Sequence, residues 1–564
     1  MRGHLQLVVV FSFVYVAASV VPLYRYFSSS HEDNVLIATQ ATLHQLQSSN
    51  YSFVSSCSDA SSNTTHSTYT IPLYTYYNHK YRDYANVAMP SSIDLLQRAE
   101  YKFVRIEGYV YYDGSILIDG TVATALNLYW SEEKHDYFLT GCAEDVENAT
   151  KLGYQYLGVE GYSPVEYTEW NSQAPDGCPF QQSPVLSNIS FSPRYGAYGG
   201  ADTWYPSWAS DDNLYSSWTD GTVNDIQGGN GQHTTGFAVA IGSDPLSLTI
   251  ANVGTFQSFP APYKGRYPSA NFVHQGVWYY GTYALDNPTI PPNPPPNCGN
   301  WCVQGPFIDF RYSTVVSPKT PPQWYEPRVD MSSATDNLFQ ESSMNNQKVK
   351  FGAPHVVDFG KELEYSPDKK VYIIAHGATR SAAHQSWMQG DEIYLARGVP
   401  SPATINNLSM WEFYAGKDDT GYDIWMHDLS AAKPIFTWEN KTGVVTLTYL
   451  PALRRFIMCV STPTFPPYTV KQFDTYLLES VNITGPYNII TYMREFGPEA
   501  YFVHIPSKFA DSSPVVVNGT TYYRFYLSYS ANFAMHNVTA NPPGSGYHWT
   551  LQETRLMFKN TTVG

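Results

Sequence analysis

Tryptophan and aspartate alternate densely between Gly200 and Asp225, where the chain reads GADTWYPSWASDDNLYSSWTDGTVND. An indole ring offers an apolar face to a sugar ring, and an aspartate accepts a proton or a hydrogen bond from a hydroxyl. Together on short strands, these residue types are typical of a carbohydrate site, so carbohydrate or polysaccharide is the predicted partner. The side chains predicted to stack on sugar rings are Trp204, Trp208 and Trp218.

Carboxylates in this segment and further along the chain indicate hydrolysis of a glycosidic bond. Cleavage of a glycosidic bond uses one protonated carboxyl group that assists the leaving oxygen and one ionised group that activates water or attacks carbon. We predict Asp202 as base or nucleophile and Glu499 as general acid. Glu412 is the alternative acid, and Asp358 is expected to tune a pKa or clamp a hydroxyl. Asp220 lies beside a turn, where aspartate commonly bonds its own backbone.

Basic and imidazole side chains extend the predicted substrate site. Arg494 and Lys508 are expected to meet an acidic sugar, and His355 to bind substrate or to lie in the core. A polysaccharide lyase is one alternative function, with His355 or a tyrosine as base and positive charge near a uronate. A non-catalytic carbohydrate-binding protein that uses the same aromatic side chains is another.

Short strands must bring these residues together. From about residue 191 onward, a β-like run meets a Gly, Asp, Asn or Pro turn five times and is answered by an aromatic-rich strand. This pattern, without a long amphipathic helix, favours a five-bladed β-propeller, with a multi-domain sandwich as the alternative. In a propeller the first residues of the inner strands converge, and blades five and one adjoin. The predicted inner strands are 202–210, 269–274, 354–359, 444–450 and 499–506.

The N-terminal part of the chain repeats three times. Successive copies open with PLYRYF, PLYTYY and LNLYW, and three anchor residues recur at constant offsets of 50 and then 53. Self-similarity at fixed offsets is typical of a repeat architecture, so we predict a small α+β module of pseudo-threefold symmetry. The anchors are Leu23, Leu73 and Leu126; Asp33, Asp83 and Asp136; and Tyr51, Tyr101 and Tyr154.

Both parts resemble known secreted modules. Residues 22–165 resemble a repeat of the type LYRYxN…DHFYT…GYxxEGIxGYV that is found beside hydrolase domains, although copy one and the Arg82-Asp83-Tyr84 segment depart from it. The stretches GADTWYPSWASDDNLYSSWTDG, FGAPHVVDFGKELEYSPDKKVYIIAHG and ITGPYNIITYMREFGPEAYFVHIPSKF are similar to secreted glycoside-hydrolase-type five-bladed propellers. That second resemblance covers nearly all of 195–555 and implies a glycan-active protein, with distant arabinanase-type relatives.

The N-terminus predicts export. Arg2, an apolar run over 5–16 and the small residues 17–19 have the order of a secretory signal. The run is shorter than the ~20 residues that span a bilayer, so we expect no stable membrane span after cleavage. Ten Asn-x-Ser/Thr sequons predict a secreted, extracellular glycoprotein. They begin at Asn50, Asn63, Asn148, Asn188, Asn407, Asn440, Asn482, Asn518, Asn537 and Asn560.

Composition narrows the partners and cofactors. The net charge of −16 argues against nucleic acid, whose binders carry clustered Lys and Arg. Six cysteines in an oxidising compartment predict some disulfides, and Cys298 and Cys302 could close a tight loop. No EF-hand loop or HExxH motif is present, and a structural or axial calcium with oxygen ligands stays open. The predicted organisation is a signal peptide over 1–19, repeats over 20–165, a linker over 166–190 and the propeller over 191–564.

Overall fold

Strands dominate the structure, which confirms the mainly β class expected from the sequence. The computed structural model divides into two compact units, unit 1 over Met1–Glu166 and unit 2 over Tyr167–Gly564. No helix in the described part of the chain is long and apolar enough to cross a membrane. The predicted signal lies outside the described residues, which are 20–38, 50–61, 70–113, 124–163, 167–170, 172–224, 226–227, 234–257, 266–286, 302–326, 337–339, 349–378, 387–463, 472–517, 520–534, 539–542 and 544–559.

Unit 1 consists of three successive sets of a hairpin and a closing strand. In each set the first strand pairs antiparallel with the other two, and the closing strands of neighbouring sets meet in one nine-stranded sheet. The sets are β1 (Val20–Ser28), β2 (Asp33–Ile37) and β3 (Ser52–Ser61); β4 (Thr70–Asn78), β5 (Asp83–Val87), α1 (Pro90–Arg98) and β6 (Lys102–Tyr111); and β7 (Thr124–Ser131), β8 (Asp136–Thr140), α2 (Ala143–Lys151) and β9 (Gln155–Ser163).

The three hairpins of unit 1 turn in the same way. The residue before the second strand has positive φ in every set, at Glu32 (54°), Arg82 (59°) and His135 (52°). A left-handed residue is typical of tight hairpin connections. This turn places an aspartate at the first position of β2, β5 and β8, where each side chain is only 1% exposed. The apolar anchors Leu23, Leu73 and Leu126 lie together in the core of the unit.

Unit 2 contains five groups of antiparallel strands in its described residues. Group 1 consists of β12 (Thr203–Trp204), β13 (Ser207–Trp208), β14 (Leu214–Thr219), β17 (Thr234–Ile241) and β18 (Thr249–Gln257), with the small hairpin β15 (Thr222–Val223) and β16 (Ile226–Gln227) beside it. Group 2 consists of β19 (Arg266–His274), β20 (Val277–Asp286) and β21 (Cys302–Ser313). Group 3 consists of β22 (Val349–Val356), β23 (Val371–Ala378), β24 (Gln389–Gly398), β25 (Trp411–Lys417) and β26 (Asp423–Met426).

The fourth and fifth groups complete the unit. Group 4 consists of β27 (Phe436–Leu450), β28 (Arg455–Pro463), β29 (Phe473–Ser480) and β30 (Asn488–Gly497). Group 5 combines both ends of the unit, because β11 pairs with the last strand β34. Its strands are β31 (Tyr501–His504), β32 (Val515–Val517), β33 (Thr520–Ser530), β34 (Trp549–Phe558), β11 (Leu186–Tyr198) and β10 (Thr168–Glu169).

The first strands of the five groups follow one another around a closed circuit. In group 1 it is β13 that contacts β19; β19 then contacts β22, β22 contacts β27, and β27 contacts β31. β12 also contacts β31, so group 1 adjoins group 5. These first strands overlap the five segments that the sequence predicts to be inner strands. Hydrogen bonds join neighbouring groups from Asn271 Nδ2 to Tyr205 O (2.7 Å), Ser269 Oγ to Pro354 O (2.7 Å), Thr446 Oγ1 to Val503 O (2.7 Å) and Ser530 Oγ to Ala201 O (3.2 Å).

Part of the segment predicted as a linker packs against group 4. Ser183 Oγ donates to Glu479 Oε1 at 2.9 Å, and the backbone of Gln182 bridges to Ile489 of β30. The ring of Phe180 meets Phe436 edge to face at 4.9 Å between centroids. These contacts come from a stretch rich in Pro, Ser and Gln that has little regular secondary structure of its own.

Candidate active site

Three carboxylates from distant parts of the chain come together at the start of the inner strands of unit 2. Asp202 directly precedes β12, Asp220 directly follows β14, and Glu499 lies two residues before β31. The negative charges of Asp220 and Glu499 both act on Asp202. Because groups 1 and 5 adjoin, residues almost 300 positions apart share one site. We call these three residues the ring acids.

Asp202 is the most buried of the ring acids, at 9% exposure. The hydroxyl of Thr219 donates to Asp202 Oδ1, and the Asp202 N–H donates to Thr219 O at 3.0 Å. Burial raises the pKa of Asp202 well above its ordinary value, and the charges of Asp220 and Glu499 raise it further. Hydrogen bonds from Thr219 and Tyr547 act in the opposite direction without cancelling the rise. Asp202 therefore holds its proton more firmly than a free aspartic acid does.

Glu499 differs from Asp202 in both exposure and partners. It is half-buried, and its Oε2 accepts a hydrogen bond from Asn532 Nδ2. The Asn532 N–H also donates to Pro498 O at 2.7 Å, so Asn532 holds this loop by backbone and side chain. Glu499 has a φ of 49°, a left-handed conformation that few non-glycine residues adopt. Such backbone positions are enriched at functional sites.

Tyrosines surround the ring acids. Burial, followed by the charges of Asp202 and its neighbours, raises the pKa of each, so these side chains stay neutral hydroxyls. The hydroxyl of Tyr547 donates to the backbone carbonyl of Asp220. Half-buried Trp387 stacks on Tyr501 at 6.3 Å between ring centroids. The tyrosines are Tyr267, Tyr283, Tyr501 and Tyr547.

The sequence identified neither these tyrosines nor Trp387 as site residues, and it assigned Asp220 only to a turn. The only local signal was position, because Tyr501 follows Glu499 by two residues and Tyr267 opens the inner strand of group 2. Asp220 does lie at a turn, with a φ of 44°, as the sequence predicts. Its charge nevertheless reaches Asp202, which a turn assignment alone does not show.

Aromatic and apolar side chains fill the centre of the circuit. His355 stacks on Tyr205 and lies against Phe502, each at 4.6 Å between ring centroids, and Tyr205, Val444 and Phe502 share one buried cluster. Burial lowers the pKa of His355 well below its ordinary value, and His504 and His376 lower it further. The structure thus makes His355 a neutral core residue, which corrects its expected role in substrate binding.

Two of the three predicted stacking residues are also core residues. Trp204 is 4% exposed and stacks on Trp549 at 5.2 Å between centroids with an interplanar angle of 17°. Trp218 is fully buried in the same cluster. Both therefore lack a face for a sugar ring. Trp208 is half-buried, but it lies at the far end of the β12–β13 segment from Asp202, with its Nε1 donating to Asp212 Oδ1 at 3.2 Å.

Asp358 and Glu412 are engaged in other contacts. The Asp358 carboxylate accepts hydrogen bonds from Ser507 N (2.8 Å) and Ser507 Oγ (2.7 Å), so it joins group 3 to the segment after β31. Glu412 lies on the outer strand β25, paired with Lys370 and with Arg397 at 2.8 Å. Although burial opposes the change, these two cations lower the pKa of Glu412. The structure brings neither residue to Asp202, so the alternative acid and the pKa-tuning role are not supported.

The two predicted sugar-binding cations also lie elsewhere. Arg494 is exposed on β30, the last strand of group 4. Lys508 follows β31 at the opposite end from Glu499, where its Nζ donates to the backbone carbonyls of Asp212 and Gly242. Burial lowers the pKa of Lys508. Neither cation is therefore part of the site that contains the ring acids.

The predicted modification sites have varied settings. Asn50, Asn407 and Asn482 are exposed, and Asn188 and Asn440 are half-buried. Asn148 lies on α2. Cys178 and Cys459 are free thiols, whereas Cys142 is disulfide-bonded. The sequons at Asn63, Asn518, Asn537 and Asn560, together with Cys298, lie outside the described residues.

The ring centre offers little to calcium. Its polar atoms include His355 Nε2 and His504 Nδ1, both buried without a partner in the described residues, and calcium prefers oxygen ligands. Within the described part of the chain, the one group of three acidic, histidine or cysteine residues close enough to hold a metal lies in unit 1. The expected axial calcium stays a prediction, since calcium also takes backbone carbonyl oxygens as ligands.

Several known structures with detectable similarity are glycoside hydrolases. No family model and no curated protein matches the chain. A glycosyl hydrolase from Bacteroides ovatus is 12% identical, with 69% of this chain and 96% of that one covered and a TM-score of 0.32. An α-L-arabinofuranosidase from Podospora anserina, solved with cellotriose, is 9% identical (70% and 97% covered, TM-score 0.30). A calcium-free GH43 β-xylosidase/α-arabinofuranosidase from a compost metagenome is 13% identical (64% and 90% covered, TM-score 0.30). Since these values are low, function is inferred from the site geometry.

Proposed function

We propose that this protein is a secreted glycoside hydrolase whose unit 2 is a five-bladed β-propeller with its catalytic site at the ring acids. The observation that carries the proposal is the meeting of Asp202 and Glu499, which are 297 residues apart in sequence, beside each other's charge. Two carboxyl groups in unlike environments are what hydrolysis of a glycosidic bond requires. Closure of group 5 by β11 supports the ring that brings them together.

The environments of the two acids support different roles in the proposed reaction. Buried Asp202 holds its proton more firmly than a free aspartic acid, so it is the better general acid. Half-buried Glu499, bonded to the amide of Asn532, is the better base or nucleophile. These roles are the reverse of those expected from the sequence. Asp220 supports them, because its charge raises the pKa of Asp202 further.

The charge of the site favours a neutral glycan. The charges of Asp220 and Glu499, which act on Asp202, are both negative, and they would repel a uronate. Arg494 and Lys508, the cations expected to attract an acidic sugar, lie away from the ring acids. Aromatic side chains such as Trp387 and Tyr501 provide apolar faces for sugar rings. These features support a hydrolase of neutral polysaccharides over a lyase.

Release of reducing ends tests the proposal. Full-length wild-type protein, Asp202→Asn and Glu499→Gln would be incubated with neutral plant, algal and microbial polysaccharides, including arabinan and arabinoxylan. We expect turnover by the wild type and a loss of about 100-fold or more in each variant. Glycan binding without turnover would indicate a carbohydrate-binding protein instead. A product with ultraviolet absorbance from a new double bond would indicate a lyase.

Secretion and glycosylation belong to the same proposal. Exposed Asn407 and Asn482 are accessible to a glycosyltransferase, which supports the expectation from the ten sequons. Enzymatic removal of N-glycans from protein collected from the medium of the native host should increase its electrophoretic mobility. Retention of the protein inside the cells, with residues 1–19 still attached, would contradict the proposal.

A further inference from the structure

A second set of carboxylates lies in unit 1, at the three aspartates that recur in the sequence copies. We call Asp33, Asp83 and Asp136 the aspartate triad. One carboxylate oxygen from each lies within 4.8 Å of the others, and each residue is 1% exposed. The triad forms because the hairpin turn of each copy places its aspartate at the first position of the second strand.

A tyrosine 18 residues further along fixes each aspartate. The hydroxyls of Tyr51, Tyr101 and Tyr154 donate to one oxygen of Asp33, Asp83 and Asp136, respectively. This arrangement leaves the second oxygen of each carboxylate for another partner. The same three pairs recur at the same spacing, so the geometry is a property of the repeat.

The second oxygens of the three carboxylates differ in their hydrogen-bond donors. Asp33 Oδ1 accepts from Tyr84 N at 3.1 Å, and Asp136 Oδ1 accepts from Asn34 N at 3.2 Å. In both cases the donor is the residue that follows the aspartate of another copy. Asp83 Oδ1 is buried and has no hydrogen-bond donor among the described residues. A buried carboxylate oxygen without a partner is costly, and it marks an open ligand position in the triad.

Electrostatics supports a cation at that position. The charges that act on Asp83 come from Asp33 and Asp136, so the three groups repel one another in a site that water does not reach. A divalent cation would offset two of the three negative charges, and carboxylate oxygens are the ligands that calcium and magnesium prefer.

We propose that the aspartate triad binds a hard divalent cation, calcium or magnesium, which ties the three copies of unit 1 together. Asp83 Oδ1 is the ligand atom that no donor among the described residues satisfies. Tyr51, Tyr101 and Tyr154 position the carboxylates from outside. This cation would be structural and independent of the ring acids. A negative result for cation binding would therefore leave the proposed glycoside hydrolase function unaffected.

Full-length protein provides the test. After treatment with EDTA and removal of the chelator at neutral pH, calcium chloride or magnesium chloride would be added and the bound metal counted by elemental analysis. We expect one equivalent per chain and a higher thermal unfolding midpoint, because a ligand that binds only the folded state stabilises it. Terbium should bind in place of calcium and luminesce on tyrosine excitation, since tyrosine hydroxyls contact the ligands.

Substitutions locate the binding to the triad. Asp83→Asn should weaken calcium, magnesium and terbium binding by more than about 100-fold, with the thermal shift lost. Asp94→Asn is the matched control, because Asp94 is an exposed carboxylate of the same unit paired only with Arg98. It should bind like the wild type.

The competing explanation is a cluster that shares protons. The Asp83 and Asp136 carboxyls lie close enough to hydrogen-bond through a proton. If wild-type protein binds none of the three ions and Asp83→Asn is at least as stable as the wild type, the cation proposal is wrong. If Asp83→Asn does not fold, the wild-type titrations decide, since no bound metal and no thermal shift would overturn the proposal by themselves.

Discussion

The aspartate triad of unit 1 and the ring acids of unit 2 are both clusters of three carboxylates, and they differ in symmetry. In the triad, all three groups are equally buried and each is bonded to a tyrosine 18 residues later. Among the ring acids, Asp202 is buried while Asp220 and Glu499 are half-buried. Their hydrogen-bond partners also differ, with Thr219 on Asp202 and Asn532 on Glu499.

This difference teaches what each cluster can do. Three aspartates with the same burial and the same tyrosine contact are suited to hold a cation or a shared proton and poorly suited to acid–base catalysis. Unequal groups have proton affinities that diverge, which allows one to donate a proton while another accepts it. We therefore expect the aspartate triad to stabilise unit 1 and the ring acids to carry out catalysis in unit 2.

The strongest test separates the clusters by activity. Glu499→Gln should lower kcat by about 1,000-fold, because it removes the proposed base or nucleophile while the amide keeps nearly the same shape. Asp83→Asn should leave kcat at the wild-type value, since the triad takes no part in the reaction. Initial rates of reducing-end release on a neutral polysaccharide provide the measurement.

Glu364→Gln serves as the control for this pair, since Glu364 is an exposed glutamate of unit 2. It should retain full activity. Equal losses of kcat in Asp83→Asn and Glu499→Gln, with both variants folded, would contradict the proposal that only the ring acids take part in catalysis.

The pH dependence of stability should report on Asp202. Its pKa is raised by burial in the folded state, so the folded protein holds a proton that the unfolded chain releases above about pH 4. Unfolding free energy should therefore fall as pH rises, by up to about 1.4 kcal/mol per pH unit, until the folded-state pKa is passed.

Asp202→Asn should flatten this slope, because an amide does not titrate. Chemical denaturation of both proteins across neutral pH provides the measurement, and Asp94→Asn, which changes an exposed group, should keep the wild-type slope. If Asp202→Asn reproduced the wild-type slope, the pKa of Asp202 would not be raised in the folded state. Asp202 would then no longer be the favoured general acid.

The triad should respond to loss of a tyrosine hydroxyl. Tyr101→Phe removes the donor to Asp83 Oδ2, so that neither oxygen of this buried carboxylate keeps a hydrogen-bond donor among the described residues. We expect unit 1 to lose about 1–3 kcal/mol of unfolding free energy when measured in EDTA. Tyr156→Phe, at an exposed position of the same unit, should change it little. Similar losses in both variants would mean that the hydroxyl on Asp83 has no special part in stability.

Local pattern predicted much of this architecture. Alternating aromatic runs and turn residues predicted the strands, and constant offsets picked out Asp33, Asp83 and Asp136 before their side chains were seen to meet. Placing Asp202 and Glu499 at the starts of adjoining strands needed only the assumption of a closed ring. The sequence could not tell which tryptophans are buried, because Trp204 and Trp218 differ from a sugar platform only in their packing on group 5. The roles proposed here for the two acids differ from the sequence expectation, because the burial of Asp202 and the charge of Glu499 beside it become visible only in the fold.

The smallest expected effect concerns Glu412. Its substitution tests whether a carboxylate outside the ring acids takes part in catalysis. It lies on β25 and pairs with Arg397 at 2.8 Å and with Lys370. Glu412→Gln removes a partly exposed ion pair, so the unfolding free energy should fall by no more than about 1 kcal/mol. Activity should stay at the wild-type level, because nothing joins this strand edge to Asp202. Initial rates and urea denaturation of the variant would decide, with Glu364→Gln beside it. A folded Glu412→Gln protein that lost activity as completely as Glu499→Gln would move the general acid to the outer strand and leave Asp202 as a buried structural residue.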